Sequence, residues 1–175
     1  MLLERRINFL DDVFIRNNGT VRLRNRNNKF VITYGYKANN GYRQVKVQQR
    51  KFSIHRLVAQ YFVKNPCYGY FKIVHHKDSN TENNNSTNLQ WLTQQLNCSL
   101  RKSNLSRSTS TGKFYPYFIF CGKVQKVRKY FKNIEDSKLY AQKIREELFE
   151  NKYNEIINSY NTNPKALLES RIMLT

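Results

Sequence analysis

Only three histidines occur in the 175 residues: His55, His75 and His76. Two are adjacent, inside VHHKDSNTENNNSTNLQWLTQQLN from Val74 to Asn97. Neighbouring side chains on a strand point to opposite faces. An adjacent pair at a strand end can therefore divide its work, one ring facing a metal ion and the other a reacting water. A neutral imidazole, with an ordinary pKa near ~6.5, accepts a proton near neutral pH. Taken alone, the pair reads first as surface histidines of a polar loop. His55 reads as a histidine packed at a helix start. Cys67, Cys98 and Cys121 form no CxxC pair, so no zinc knuckle is indicated.

The elements around the pair can be read from periodicity and punctuation. Ile54, Leu57, Val58, Tyr61 and Phe62 recur at helical spacing, which predicts an amphipathic helix over 53–63 with Ser53 as N-cap. Asn65-Pro66 closes it. Tyr70 to His75 reads as a strand, Asp78 to Asn88 as an Asn-rich loop and Leu89 to Leu92 as a short strand. Thr93 can cap a helix running to about Leu100. Upstream, VRLRNR, KFVITYGY and YRQVKVQQRKF lie between and after the turn signals Asn17-Asn18-Gly19 and Asn39-Asn40-Gly41. Their period of two predicts strands with a cationic outer face.

Downstream, RKSNLSRSTSTG over 101–112 has a linker's composition. KFYPYFIFCGKVQKVRKYF reads as two or three strands turning at Cys121-Gly122-Lys123. A helix capped by Asn133 follows, with Tyr140, Ala141, Ile144 and Leu148 on its inner face. Asn163-Pro164 opens a last short helix, KALLESRIML. The expected architecture is α+β and modular: a β-rich module at 1–52, a core at 53–101, a linker at 102–112, a sheet-plus-helix module at 113–150 and a helical tail at 151–175.

Charge narrows the class. Lys plus Arg number 31 against 12 Asp plus Glu, a formal charge of +19. Between Asp12 and Glu135 only Asp78 and Glu82 are acidic, while 23 of the 31 Lys and Arg fall there. One sign over more than a hundred residues points to a polyanionic partner, with nucleic acid first. The longest apolar stretch, Tyr115 to Cys121, is far short of the ~20 residues of a membrane span, so no membrane partner is expected. The N-terminus shows no signal-peptide pattern. Three widely spaced cysteines argue against a disulfide framework and fit a reducing, intracellular compartment.

The central segment resembles the HNH, or ββα-metal, nucleases, and most closely the nicking homing endonucleases of phage introns. The resemblance is carried by IHRLVAQYF (Ile54 to Phe62), HHKDSN (His75 to Asn80), NNNSTNLQWLT (Asn83 to Thr93) and Asn97. It implies that His76 is the general base and that Asn88 pins the loop and orients the base. His75 and Asn97 would hold one divalent ion. His75 stands where homing members usually carry Asp, although other HNH nucleases place a histidine pair here. Ser79 stands where Gly is usual, which predicts a modified turn.

Imidazole favours later transition metals. The resemblance implies Mg²⁺ or Mn²⁺, the imidazole ligand adds an expected tolerance of Ni²⁺ or Zn²⁺, and no small-molecule cofactor is expected. Residues 13–52 resemble the β-module preceding this core in homing nucleases. Residues 112–150 resemble the plant ethylene-response type of DNA-binding domain, whose sheet would enter the major groove.

The expected function is sequence-specific, metal-dependent cleavage of double-stranded DNA. Expected DNA-facing residues are Arg22, Arg24, Arg26 and Lys46 in the first module. In the third they are Tyr117, Lys123, Gln125, Lys126, Arg128 and Lys129. A non-catalytic DNA-binding regulator and a dimeric restriction-type nuclease are the alternatives. Monomer and homodimer both stay open.

Overall fold

The computed structural model describes residues 1–100 and 106–163. Contacts divide the chain into two compact units, Met1–Leu92 and the part from Thr93 onward. Helices and strands are mixed in an α+β arrangement of several small sheets.

The first unit opens with an antiparallel sheet of β1 (Glu4–Arg6), β2 (Phe14–Arg16), β3 (Val21–Arg24) and β4 (Phe30–Thr33). Ile15 and Val21, both buried, are register partners on its inner face. The outer face carries Phe14, Arg22 and Ile32 in one cross-strand row. KFVITYGY is not one continuous strand. Gly35 breaks it at φ +70, where a Cβ would collide with the Gln44 carbonyl oxygen. The chain then enters a second sheet of β5 (Tyr36–Lys37), β6 (Arg43–Val47) and β7 (Arg50–Ser53). YRQVKVQQRKF likewise folds as a β6–β7 hairpin, because Gln48 and Gln49 both take positive φ, 47° and 63°. This is the backbone of a primed two-residue turn. Neither residue type announces it.

The amphipathic helix forms as α1 (Ile54–Phe62), burying Ile54, His55, Leu57, Val58 and Ala59. Ser53 occupies the N-cap position, but its side chain makes no capping bond. The next strand, β8 (Ile73–His76), starts later than the expected Tyr70 and includes both histidines. Tyr70 and Phe71 instead donate backbone N–H bonds to the Cys67 carbonyl in a turn. β8 pairs antiparallel with β9 (Leu89–Leu92), placing His75 opposite Gln90 and His76 opposite Leu89. The Trp91 indole N–H donates to the Val63 carbonyl at 3.1 Å and ties β9 to the end of α1.

The second unit begins with α2 (Gln94–Ser99), capped by the Thr93 hydroxyl, which accepts from the Leu96 N–H at 3.2 Å. Part of the expected linker is strand: β10 (Ser106–Ser108) pairs with β11 (Phe114–Phe120), which pairs with β12 (Lys123–Lys126). The Ser106 hydroxyl donates to Ser137 Oγ at 2.8 Å, so these residues are committed to the module. The Cys121-Gly122 turn, with φ 49° and 76°, joins β11 to β12 as expected. One helix, α3 (Ile134–Thr162), runs on without a break at 150, burying Ser137, Ala141, Phe149 and Ile156. Its cap is Asn133, which accepts from the Glu135 N–H at 2.8 Å. The expected final helix, KALLESRIML, lies outside the described residues. Among the described residues no helix is long and apolar enough to cross a membrane.

Candidate active site and DNA-facing surfaces

The alternating burial of β8 separates the two histidines. His75 lies half-buried on one face. His76, 4% exposed, turns into the interior beside Val74's buried row. There its ring meets two others: His55 at 5.4 Å and Tyr42 at 5.9 Å between centroids, with Tyr42 and His55 4.7 Å apart. His76 Nε2 lies 3.0 Å from Oδ1 of Asn84, a buried residue of the Asn-rich loop.

His55 is 7% exposed, and its Nδ1 has no hydrogen-bond partner. Burial, then the nearby His76 and Arg56, depress its pKa to about 4. It therefore remains neutral at ordinary pH. This agrees with its reading as a packed histidine at the start of α1.

The loop from Asp78 to Asn88 is closed by side chains. Asn88 Oδ1 accepts from the Asp78 N–H at 3.1 Å, and its Nδ2 donates to Asp78 Oδ1 at 3.0 Å and to the Asn83 carbonyl at 2.8 Å. Asn83 Nδ2 donates to the second Asp78 oxygen at 2.7 Å, and the Asn80 N–H donates to the first at 2.8 Å. These donors, Asn83 foremost, hold the Asp78 carboxyl below the usual carboxylate range. Ser79 adopts φ +61, so the left-handed turn that Gly would favour is kept with a serine in it.

The loop is also held from outside. Glu82 accepts from Lys37 Nζ at 2.6 Å and from an Arg43 guanidinium nitrogen at 2.8 Å, which lowers its pKa. The Thr81 hydroxyl donates to the Gly41 carbonyl at 2.9 Å, and the Ser86 N–H donates to the Asn17 carbonyl at 2.7 Å. The N-terminal sheets thus brace the loop that carries Asn84 and Asn88.

Asn97 lies within α2, in the second unit. As to donor chemistry, His75 offers an imidazole nitrogen, and the Asp78 oxygens are spent inside the loop. Among the described residues no three His, Cys, Asp or Glu side chains converge. Such a set offers an ion few protein ligands. An ion that keeps several waters and completes its shell with phosphate oxygens fits it.

The residues expected to face DNA divide into two groups. Arg22 is committed within the protein: its guanidinium lies over Phe14 and Phe30 at 3.9 and 4.5 Å and pairs with Glu4 at 2.8 Å. Arg24 pairs with Asp12 at 2.6 Å and stacks on Phe30. Lys123 and Gln125 are cross-strand partners of Phe120 and Phe118, so they share the face on which those rings are buried. Lys129 Nζ sits 4.2 Å above Tyr140 of α3. Arg26, Lys46, Lys126 and Arg128 are exposed.

The outward face of the C-terminal sheet instead presents Arg107 stacked on Tyr117 at 3.8 Å and Lys126 near Tyr115 at 5.0 Å. Ile119 and the 57%-exposed Val124 lie beside them on that face. Sequence reasoning missed Arg107, Tyr115, Tyr42 and Asn84. Arg107 lies in the apparent linker. Asn84 is the middle of three consecutive asparagines, which carry no period to say which one turns inward.

Residues 53–98 match the HNH endonuclease family. Among its relatives is the uncharacterized HNH endonuclease L245 of Acanthamoeba polyphaga mimivirus, 31% identical over 119 residues, covering 66% of this chain and 34% of that protein. The DNA endonuclease I-HmuI of Bacillus phage SP01 is 45% identical over 62 residues, covering 34% of this chain and 32% of that protein. The chain thus spans about a third of the length of the curated relatives it matches. A solved structure of the HNH homing endonuclease I-HmuI, on DNA binding and cleavage, aligns at TM-score 0.45 and 30% identity over 55% of each chain.

Proposed function

We propose that this protein is a metal-dependent, sequence-specific DNA endonuclease of the homing type that hydrolyses phosphodiester bonds, with His76 as general base. The observation that carries the reading is the placement of His76: a buried imidazole at the end of β8, 3.0 Å from Asn84 through Nε2, beside a loop locked by Asn88. Hydrolysis needs a group that takes the proton of the attacking water, and His76 is built for that. Asn88 keeps the loop closed around it. His55, neutral and buried, adds no competing charge.

The resemblance assigns the ion's protein ligands to His75 and Asn97, and both assignments are part of the proposal. When bound, Mg²⁺ or a similar ion would stabilise charge on the phosphate and on the departing 3′ oxygen. The outward face of the C-terminal sheet and the exposed cations of the first unit are assigned to double-stranded DNA. Aromatic-backed cations and an excess of positive charge support that assignment.

The test is nicking of supercoiled plasmid carrying the recognised site, with Mg²⁺, Mn²⁺ and Ni²⁺ in turn, by wild type, His75→Asp and His75→Ala. A ligand role predicts that His75→Asp works with Mg²⁺ and loses its preference for Ni²⁺, since a carboxylate oxygen suits the harder ion. His75→Ala should be impaired with every metal. Matching metal profiles for the two variants would remove His75 from the site. Tight DNA binding without nicking by the wild type would identify the regulator reading instead.

A further inference from the structure

We propose that Asn84 is the positioning residue of this site: it fixes which ring nitrogen of His76 carries the hydrogen and therefore which one receives the proton from water. The inference rests on the reading of His76 as the base. Asn84 Oδ1 is an acceptor only. At 3.0 Å from Nε2 it requires an Nε2–H, which leaves the lone pair of the neutral ring on Nδ1. Both residues are 4% exposed. In such a place an unmade hydrogen bond carries the full desolvation cost, so the acceptor holds the tautomer firmly. The neighbouring rings leave this bond alone: Tyr42 and His55 contact His76 as rings, and His55 Nδ1 bonds to nothing.

Asn84 is in turn seated by the first sheet. Gly19, in the turn between β2 and β3, has φ +87, and a Cβ on it would come within 2.7 Å of Asn84 Cβ and 3.2 Å of the Asn84 carbonyl. Only a glycine lets that turn approach so closely. The Ser86 N–H to Asn17 carbonyl bond, two residues beyond Asn84, fixes the same approach. The contact therefore runs from the Asn17–Gly19 turn through Asn84 to the His76 ring. Asn88 has no part in it, being spent on Asp78 and Asn83.

The experiment uses the full chain labelled with ¹⁵N histidine, read at a pH where the rings are neutral, with His76 assigned from a His76→Gln sample. The expected wild-type result is a pyrrole-type Nε2 and a pyridine-type Nδ1. Asn84→Asp keeps an acceptor and should keep that pattern. Asn84→Leu removes it, and both ring nitrogens should move toward averaged shifts. In nicking assays Asn84→Leu should lose roughly 10²-fold in kcat with KM changed less than about threefold, while Asn84→Asp stays within about tenfold of wild type.

A wild-type Nδ1–H tautomer overturns the proposal, as do wild-type shifts and rate in Asn84→Leu. Should Asn84→Leu not fold, the wild-type and Asn84→Asp spectra decide the question. A wild type that nicks nothing defeats the base assignment, whereas the ring shifts still judge Asn84.

Discussion

Asn88 and Asp78 close a two-bond ring across the Asn-rich loop: the Asp78 N–H reaches Asn88 Oδ1 at 3.1 Å, and Asn88 Nδ2 returns to Asp78 Oδ1 at 3.0 Å. A third bond, to the Asn83 carbonyl, uses the remaining amide hydrogen. Only a side chain that both donates and accepts can do this. Asn88→Asp replaces the donor with a second carboxylate facing Asp78. The expected outcome is a loss of about 1–3 kcal/mol in stability by chemical denaturation, with a fall in nicking rate. An Asn88→Asp protein as stable and active as wild type would remove Asn88 from the loop's framework.

His55 gives the fold an acid limit. Its pKa falls from 6.5 to about 4 on folding, so the unfolded chain binds a proton that the native state refuses. This contribution is complete above pH 6.5 and is lost as pH falls through about 4. It amounts to about 3 kcal/mol in all. His55→Phe keeps a ring beside Tyr42 and cannot titrate. Urea unfolding between pH 4 and 7 should show a shallower pH dependence in the variant. An unchanged slope would place the acid sensitivity elsewhere.

Ser79 pays a conformational penalty at φ +61. Ser79→Gly should relieve it and raise stability by about 1 kcal/mol, with nicking unchanged. Thermal unfolding checks this; a destabilised variant would show that the serine side chain contributes more than the backbone loses.

Much of this loop's surroundings could be read from the chain. The spacing of Ile54, Leu57, Val58, Tyr61 and Phe62 marks α1. Thr93 and Asn133 are capping residues by type, and both cap. Cys121-Gly122 turns because glycine accepts positive φ. Other features have no local signature. Gln48 and Gln49 take positive φ because β6 and β7 must pair, so tertiary contacts override residue preference there. Alternation shows that the Arg22 side chain faces outward, and this is what makes it a candidate DNA contact. Alternation does not show that Phe14, Phe30 and Glu4 are waiting for it. The histidine pair at a strand end was legible. The choice of Asn84 among three asparagines depends on Gly19, 65 positions earlier in the chain.

That difference among the basic residues can be measured. Lys126→Ala and Arg107→Ala should weaken DNA binding and flatten its salt dependence. Arg22→Ala should lower thermal stability more than affinity, because it removes a paired and stacked guanidinium. If about 6–10 phosphates are neutralised, wild-type affinity should fall by roughly 10³–10⁵ between about 50 and 200 mM salt. A flat titration would contradict the polyanion reading, and equal effects of Arg22→Ala and Lys126→Ala on affinity would contradict the division made on the two sheets.

The most direct measurement is single-turnover nicking by His76→Ala on saturating DNA with Mg²⁺ or Mn²⁺, alongside its equilibrium affinity for the same duplex. Loss of a general base lowers the rate by roughly 10²–10⁴-fold, with affinity nearly unchanged. Cleavage by His76→Ala within about threefold of wild type would contradict the assignment of His76 as the base.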